Sequence, residues 1–227
     1  MWGHAIFRDR RDAGRQLAQK LAGYESKDPI VLALPRGGVV VGFEIARELE
    51  APLDVMVVRK LGAPAQPELG IGAIAPGGIT LLDERTVEAL ELTPEEIEAV
   101  ARAERAELER RLLEYRKDAS PPTVGGRTVI LVDDGLATGV SALAAVHATR
   151  AGNPAHVVLA IPVCARETAN WIRNEVDELV CISFPERFLA VGLWYGEFEQ
   201  TSDEEVVDLL RAAADAGRAP EALASRK

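Results

Sequence analysis

A chain of 227 residues, 48% hydrophobic and 27% charged, has the composition of an ordinary globular protein and enough length to bury a sizeable core. Its formal charge is −10, from 26 Lys and Arg against 36 Asp and Glu. That balance argues against a nucleic-acid or anionic-membrane binder, because no large basic field is available. Polyanionic small ligands stay open, since backbone amides and a metal ion hold phosphates locally.

No apolar run approaches a membrane span. Met1-Trp2-Gly3-His4 leads into charges, not into a signal-peptide core, so a cytoplasmic location is expected. Cys164 and Cys181 lack metal-type spacing and read as small buried hydrophobes. His4, His147 and His156 show no ligand spacing.

Apolar runs bounded by turn residues alternate with stretches of helical period, the pattern of βαβ units. A helix is expected over Arg8–Ala22 and a buried strand over Ile30–Leu34, broken by Pro35-Arg36-Gly37-Gly38 and followed by a helix from Val41 to Leu49. Asp54–Arg59 reads as a second strand. Lys60–Gly78 reads as a long Gly-, Ala- and Pro-rich loop, with a short strand available at Leu69–Ala75. Thr93-Pro94-Glu95-Glu96 is a helix start, with Thr as N-cap, Pro at the first helical position and Glu closing a capping box. The charged helix behind it runs to about Lys117, ends at Ser120-Pro121-Pro122, and carries the narrow apolar stripe Ile97, Val100, Leu108 and Leu112. Strands over Thr128–Val132, Val157–Val163 and Leu179–Ser183 follow, with helices over Val140–Arg150 and Glu167–Asn174 between them. The final dozen residues look frayed. The fold class expected is α/β, a doubly wound, mostly parallel sheet flanked by helices in a single domain over 1–227.

The chemistry concentrates in Val129-Ile130-Leu131-Val132-Asp133-Asp134-Gly135-Leu136-Ala137-Thr138-Gly139-Val140-Ser141. A buried strand delivers two carboxylates to its carboxyl end, where α/β sheets place ligands. The loop of small and hydroxyl residues then enters a helix, where backbone N–H groups and the helix dipole favour an anion. Carboxylates beside an anion nest suit a sugar with vicinal hydroxyls or a bridging metal. A strand-to-helix turn capped by Asp explains one carboxylate, not two.

This segment resembles the ribose-phosphate signature of type I phosphoribosyltransferases, and the likeness extends over about residues 30–200. It implies that Asp133 and Asp134 accept the ribose 2′- and 3′-hydroxyls of 5-phosphoribosyl pyrophosphate and hold magnesium, directly or through water. Ala137, Thr138, Gly139, Val140 and Ser141 would wrap the 5′-phosphate, with Gly135 completing that set. Leu34-Pro35-Arg36-Gly37-Gly38 matches the pyrophosphate loop, so amides of Arg36, Gly37 and Gly38 would face pyrophosphate. The resemblance also implies a cis peptide there, at Arg36–Gly37 or else at Pro35–Arg36. Arg59 and Lys60 match basic residues that reach the same group, Lys60 being counted with the two aspartates as catalytic. Residues 60–78 resemble a mobile flap, 83–120 a helical insertion, and 184–200 a base-selecting hood in which Phe188 would stack on the acceptor.

Two departures bear on the acceptor. Ala137 stands where 6-oxopurine enzymes carry an Asp, and Trp194 stands where their hood carries an acidic residue. The implied activity is phosphoribosyl transfer to a nitrogenous acceptor other than a 6-oxopurine, with a homo-oligomer left open and neither nucleic acid nor membrane as partner. The alternatives are a non-catalytic ligand sensor on the same fold and a nucleotide-binding or receiver-like domain in which the acidic pair holds only magnesium.

Overall fold

The runs Pro29–Ala33 and Thr128–Val132 are buried along their whole length. A strand with no polar face needs cover on both sides, which is the situation of a parallel sheet packed between helices. The computed structural model, which describes residues 5–117 and 120–218, has this arrangement. Helix α1 (Arg10–Leu21) precedes strand β1 (Pro29–Ala33), α2 (Gly37–Glu48) and β2 (Leu53–Val55). Three strands follow, β3 (Arg59–Ala63), β4 (Gln66–Ala75) and β5 (Ile79–Leu82), then helices α3 (Glu84–Ala89) and α4 (Pro94–Arg116). The second half alternates β6 (Thr128–Val132), α5 (Val140–Arg150), β7 (His156–Val163), α6 (Arg166–Ile172) and β8 (Glu178–Ser183), and closes on α7 (Asp203–Arg218).

The main sheet has five parallel strands in the order β2-β1-β6-β7-β8. Successive side chains of a strand point to opposite faces, and the core divides accordingly. Val31, Ala33, Ile130, Val132, Val158 and Ala160 pack with α1 and α2 on one side. Ile30, Leu32, Val129, Leu131, Leu159 and Ile161 pack with α5 and α6 on the other. The sheet is therefore doubly wound, as expected. Among the described residues no helix is long and apolar enough to cross a membrane.

The structure corrects the chain between Asp54 and Gly78. The strand expected over Asp54–Arg59 leaves the main sheet after Val55, and β3 starts a second sheet at Arg59. What reads as a long loop is an antiparallel sheet of three strands, ordered β3-β4-β5, and the short strand expected at Leu69–Ala75 lies within β4. Glycine and alanine make the segment look like loop, but they are there because neighbours come close. A Cβ on Gly72 would lie 2.1 Å from the Leu81 carbonyl oxygen. Leu61 and Ile74 enter the core that α4 covers, while Ala73 and Ala75 pack on Ala144 of α5.

Helix α2 begins at Gly37, not at Val41, so both loop glycines lie in its first turn. Helix α4 has the expected capping box, with the Glu96 amide donating to Thr93 Oγ1 and the Thr93 amide to Glu96. Its stripe gains Ala101 and Tyr115 as buried members beside Leu108. Arg116 bonds Asp54 Oδ2 at 2.9 Å and ties the helix end to β2. Helix α7 escapes the sequence reading, although Ser202-Asp203-Glu204-Glu205 is a capping pattern and the Glu205 amide donates to Ser202 Oγ. Of the final dozen residues expected to fray, 216–218 continue α7, and those from 219 on lie outside the described residues, as do His4 and the residues before it.

Both cysteines are free. Burial pushes the Cys164 thiol up to about 12 and the Cys181 thiol up to about 11. Cys164 is buried as expected and Cys181 only half-buried, but at pH 8 each is protonated, and the thiolate is the reactive form. The folded protein should therefore react only slowly with a colorimetric thiol reagent, and two equivalents should react at once in denaturant. Rapid labelling of the native protein would contradict the burial described here.

Candidate functional site

The main sheet changes direction between β1 and β6. From β1 the chain moves outward to β2; from β6 it moves the other way to β7 and β8. Connections diverge at such a point and leave a crevice at the carboxyl ends of the strands. Here the crevice lies between residues 34–38, after β1, and residues 133–139, after β6. The Leu34 amide donates to the Val132 carbonyl at 2.8 Å, so the two exits run side by side.

The glycine pair and the acidic pair selected from the sequence meet at this point. A Cβ on Gly37 would fall 1.9 Å from Asp134 Oδ2, and one on Gly38 would fall 2.8 Å from the Val132 carbonyl oxygen. The glycine pair is thus pressed against the acidic pair, with no room for any side chain. The peptide Pro35–Arg36 is cis, one bond before the first expected position. Helix α2 has Arg36 as its N-cap and α5 has Gly139, and neither start carries a side-chain cap. Two helix N-termini with uncapped amides therefore flank the carboxylates, an arrangement that favours anions at both.

Asp133 Oδ1 accepts from the Asp134 amide at 2.8 Å. Asp134 Oδ2 accepts from Arg10 Nε at 2.8 Å, in a pair whose side chains are 12% and 17% exposed. Burial raises the Asp133 carboxyl well above the usual carboxylate range, and the charge of Asp134 adds to it. Burial raises Asp134 too, against the opposing pull of Arg10. Two desolvated carboxylates with one shared cation still favour further hydrogen-bond donors or a divalent ion.

The glycine loop after the pair is held by β7 and α6. Leu136 donates to the Val163 carbonyl and accepts from the Ala165 amide, both at 2.9 Å. Thr168 Oγ1 donates to the Ala137 carbonyl. Gly139 has φ +80°, and a Cβ there would meet Trp171 at 2.7 Å. Ala137 and Thr138 are exposed, while Val140 and Ser141 open α5 and are partly buried. Gly135 lies against Val191, which a Cβ would meet at 2.4 Å.

The basic residues expected near the pyrophosphate loop are engaged elsewhere. Arg59 pairs with Glu104 of α4 at 2.7 Å, and Lys60 Nζ donates to the Glu68 carbonyl. Arg36 lies 3.9 Å from Asp203 at the start of α7. In the 184–200 segment Phe188 stacks on Trp194, with centroids 6.3 Å apart. Tyr195 sends its hydroxyl to the Asp134 carbonyl oxygen, which fastens this segment to the acidic pair.

Arg10, Thr168, Trp171 and Tyr195 are site residues that motif reading passes over. One signal pointed to Arg10: it sits in the first turn of α1, where a cation opposes the helix dipole.

Comparison with known proteins gives the family. The family model of the phosphoribosyl transferase domain matches residues 4–194. Two Mycobacterium tuberculosis proteins, each named "Putative phosphoribosyl transferase", are 47% identical over 208 residues, which is 92% of this chain and 47% of theirs. The chain thus spans about half the length of these relatives. A Thermus thermophilus protein of known crystal structure is 41% identical with a TM-score of 0.77, over 90% of this chain and 97% of that one. With a matching domain over most of its length and the acidic pair, glycine loop and β1 exit in one crevice, the chain belongs to the phosphoribosyl transferase domain family.

Proposed function

We propose that the protein binds 5-phosphoribosyl pyrophosphate with magnesium and transfers the phosphoribosyl group to a nitrogenous acceptor other than a 6-oxopurine, releasing pyrophosphate. The observation that carries this reading is the packing of Gly37 and Gly38 against Asp133 and Asp134. It supports a pyrophosphate on one loop and a ribose on the other, side by side. On this reading Ala137 to Ser141 wrap the 5′-phosphate at the start of α5. The acidic pair accepts from the two ribose hydroxyls, and the amides of residues 36–38 face pyrophosphate. Arg59 and Lys60 reach that group by leaving Glu104 and Glu68, as the β3–β5 sheet closes over the ligand. The 184–200 segment is the hood, with Phe188 and Trp194 offering their rings to the acceptor.

Among the described residues no three His, Cys, Asp or Glu side chains form a metal cage. The donor set still fits magnesium, which takes one or two carboxylates and fills its shell with ligand phosphate oxygens and water. Asp133 and Asp134 would hold the ion, which supplies charge neutralisation to the departing pyrophosphate. In the transfer, the bond from C1′ to the pyrophosphate oxygen breaks and its electron pair leaves with pyrophosphate. The acceptor nitrogen gives its lone pair to the new bond to C1′ and releases its proton to solvent. The protein contributes alignment, hydroxyl acceptance and water exclusion around a cationic ribosyl centre.

Ligand with magnesium should raise the melting temperature, with a linkage of about 2.7 kcal/mol at 100-fold excess over Kd. Asp133→Asn combined with Asp134→Asn should remain folded and lose most of that response. An unchanged shift in the double variant would remove the ribose assignment.

Gly37→Ala places a methyl group onto Asp134 Oδ2, so one of the two must move. The variant should weaken ligand binding at least about ten-fold, the scale of one lost charge-assisted contact. Isothermal titration would measure this, and wild-type affinity would show that the loop does not need its contact with the acidic pair.

Ala137 has no titratable group, and general acid–base assistance typically contributes about 10²–10⁴-fold. Hypoxanthine and guanine should accordingly be poor acceptors beside adenine, uracil, orotate and simple amines in a pyrophosphate-release screen. Efficient turnover of either 6-oxopurine would overturn the acceptor reading. Firm ligand binding with no release for any acceptor would instead favour a sensor.

A further inference from the structure

Arg10 contacts two parts of the molecule that lie far from it in sequence. Its Nε donates to Asp134 Oδ2 at 2.8 Å and its Nη1 to the Glu199 carbonyl at 2.6 Å. Its guanidinium carbon stands 3.8 Å from the centre of the Phe198 ring. The side chain is 12% exposed, so these partners replace water almost completely. Helix α1 does not need them: Asp9 caps it, and Ala13, Leu17, Ala18 and Leu21 bury it.

The same strap, residues 195–199, is fixed along its length to the residues just before Arg10. The Gly196 and Glu197 amides donate to the Phe7 and Arg8 carbonyls, both at 2.8 Å. Tyr195 packs between Phe7 and Phe198, with centroids 5.2 and 5.0 Å away. Its hydroxyl reaches the Asp134 carbonyl. A planar guanidinium that bonds a carboxylate through one nitrogen and a carbonyl through another fixes the geometry between them. We infer that Arg10 is a positioning residue that couples the acidic pair to the strap. Asp134 keeps its orientation while the strap is seated, and the strap stays seated while Asp134 faces Arg10. The consequence for ligand affinity rests on the function proposed above; the mechanical coupling does not.

Hydrogen exchange at the Gly196 and Glu197 amides tests the coupling without ligand. Asp134→Asn changes neither amide nor its acceptor, yet it should speed their exchange about ten-fold or more, as Arg10→Gln should, the scale of losing a charge-assisted hydrogen bond. The two changes together should add little beyond either one. Arg10→Lys, which keeps the charge and loses the fork, should rescue only part of the protection. Wild-type exchange in Asp134→Asn, or additive effects in the double variant, would overturn the inference.

Phe198→Ala attacks the coupling from the strap side and leaves both charged partners in place. In a protein that binds 5-phosphoribosyl pyrophosphate with magnesium, it should weaken equilibrium binding of that ligand in the absence of acceptor. Binding by Phe198→Ala as tight as that of wild type would also overturn the coupling. Failure of the wild-type protein to bind would remove the proposed function, and the exchange rates would still decide the role of Arg10.

Discussion

Burying one ionised carboxylate costs several kcal/mol, and a second beside it adds repulsion to desolvation. Asp133 and Asp134 carry that cost at the centre of this molecule, and the surrounding structure reads as its partial relief. Arg10 pairs with Asp134, and the amide of Asp134 serves Asp133. The uncapped starts of α2 and α5 lie on either side. The relief is incomplete, since Asp133 has no ion-pair partner among the described residues. Cores do not retain such a group for stability alone, because an apolar residue of similar volume does as well or better. On the proposed function, the pair is retained for the ribose and magnesium it binds.

Its location follows from chain direction. Among the described residues, only between β1 and β6 do neighbouring strands of the main sheet send their connections apart, which opens a crevice between two helix starts. The glycines at 37 and 38 let the β1 exit close onto the carboxylates. Gly139, with its positive φ, lets the other exit turn into α5 against Trp171 and Thr168. Each glycine of the two motifs answers to a named neighbour.

Strand β6, its acidic pair and its glycine loop were readable because a fully apolar run followed by charge and small residues has few other solutions. The capping box at Thr93 was readable for a similar reason, being local. Beyond the short strand at Leu69–Ala75, residues 59–82 were not, because Gly62, Gly70 and Gly72 resemble loop residues until the close approach of Pro67, Lys60 and Leu81 is known. Arg10 was hidden for a different reason. Its partner is 124 positions away, and no local pattern specifies so distant a contact. Local chemistry thus exposed the reactive end of the site, and tertiary contact supplied the residues that hold it.

Elements outside the main sheet restrain the basic side chains. Arg59 is tied to α4 through Glu104, Lys60 to β4 through the Glu68 carbonyl, and Arg36 to α7 through Asp203. The two ion pairs are partly open to water, with side chains 26% and 26% exposed for Arg59 and Glu104, and 30% and 32% for Arg36 and Asp203. Pairs of this exposure contribute about 0–1 kcal/mol. A doubly charged phosphate group near Gly37 and Gly38 offers a guanidinium or ammonium stronger, charge-assisted bonds than these carboxylates or a lone carbonyl. On the proposed function, release of the three basic groups costs little and their recapture gains more. The second sheet, α4 and α7 then act as holders that keep cations near the crevice without spending them before a ligand arrives.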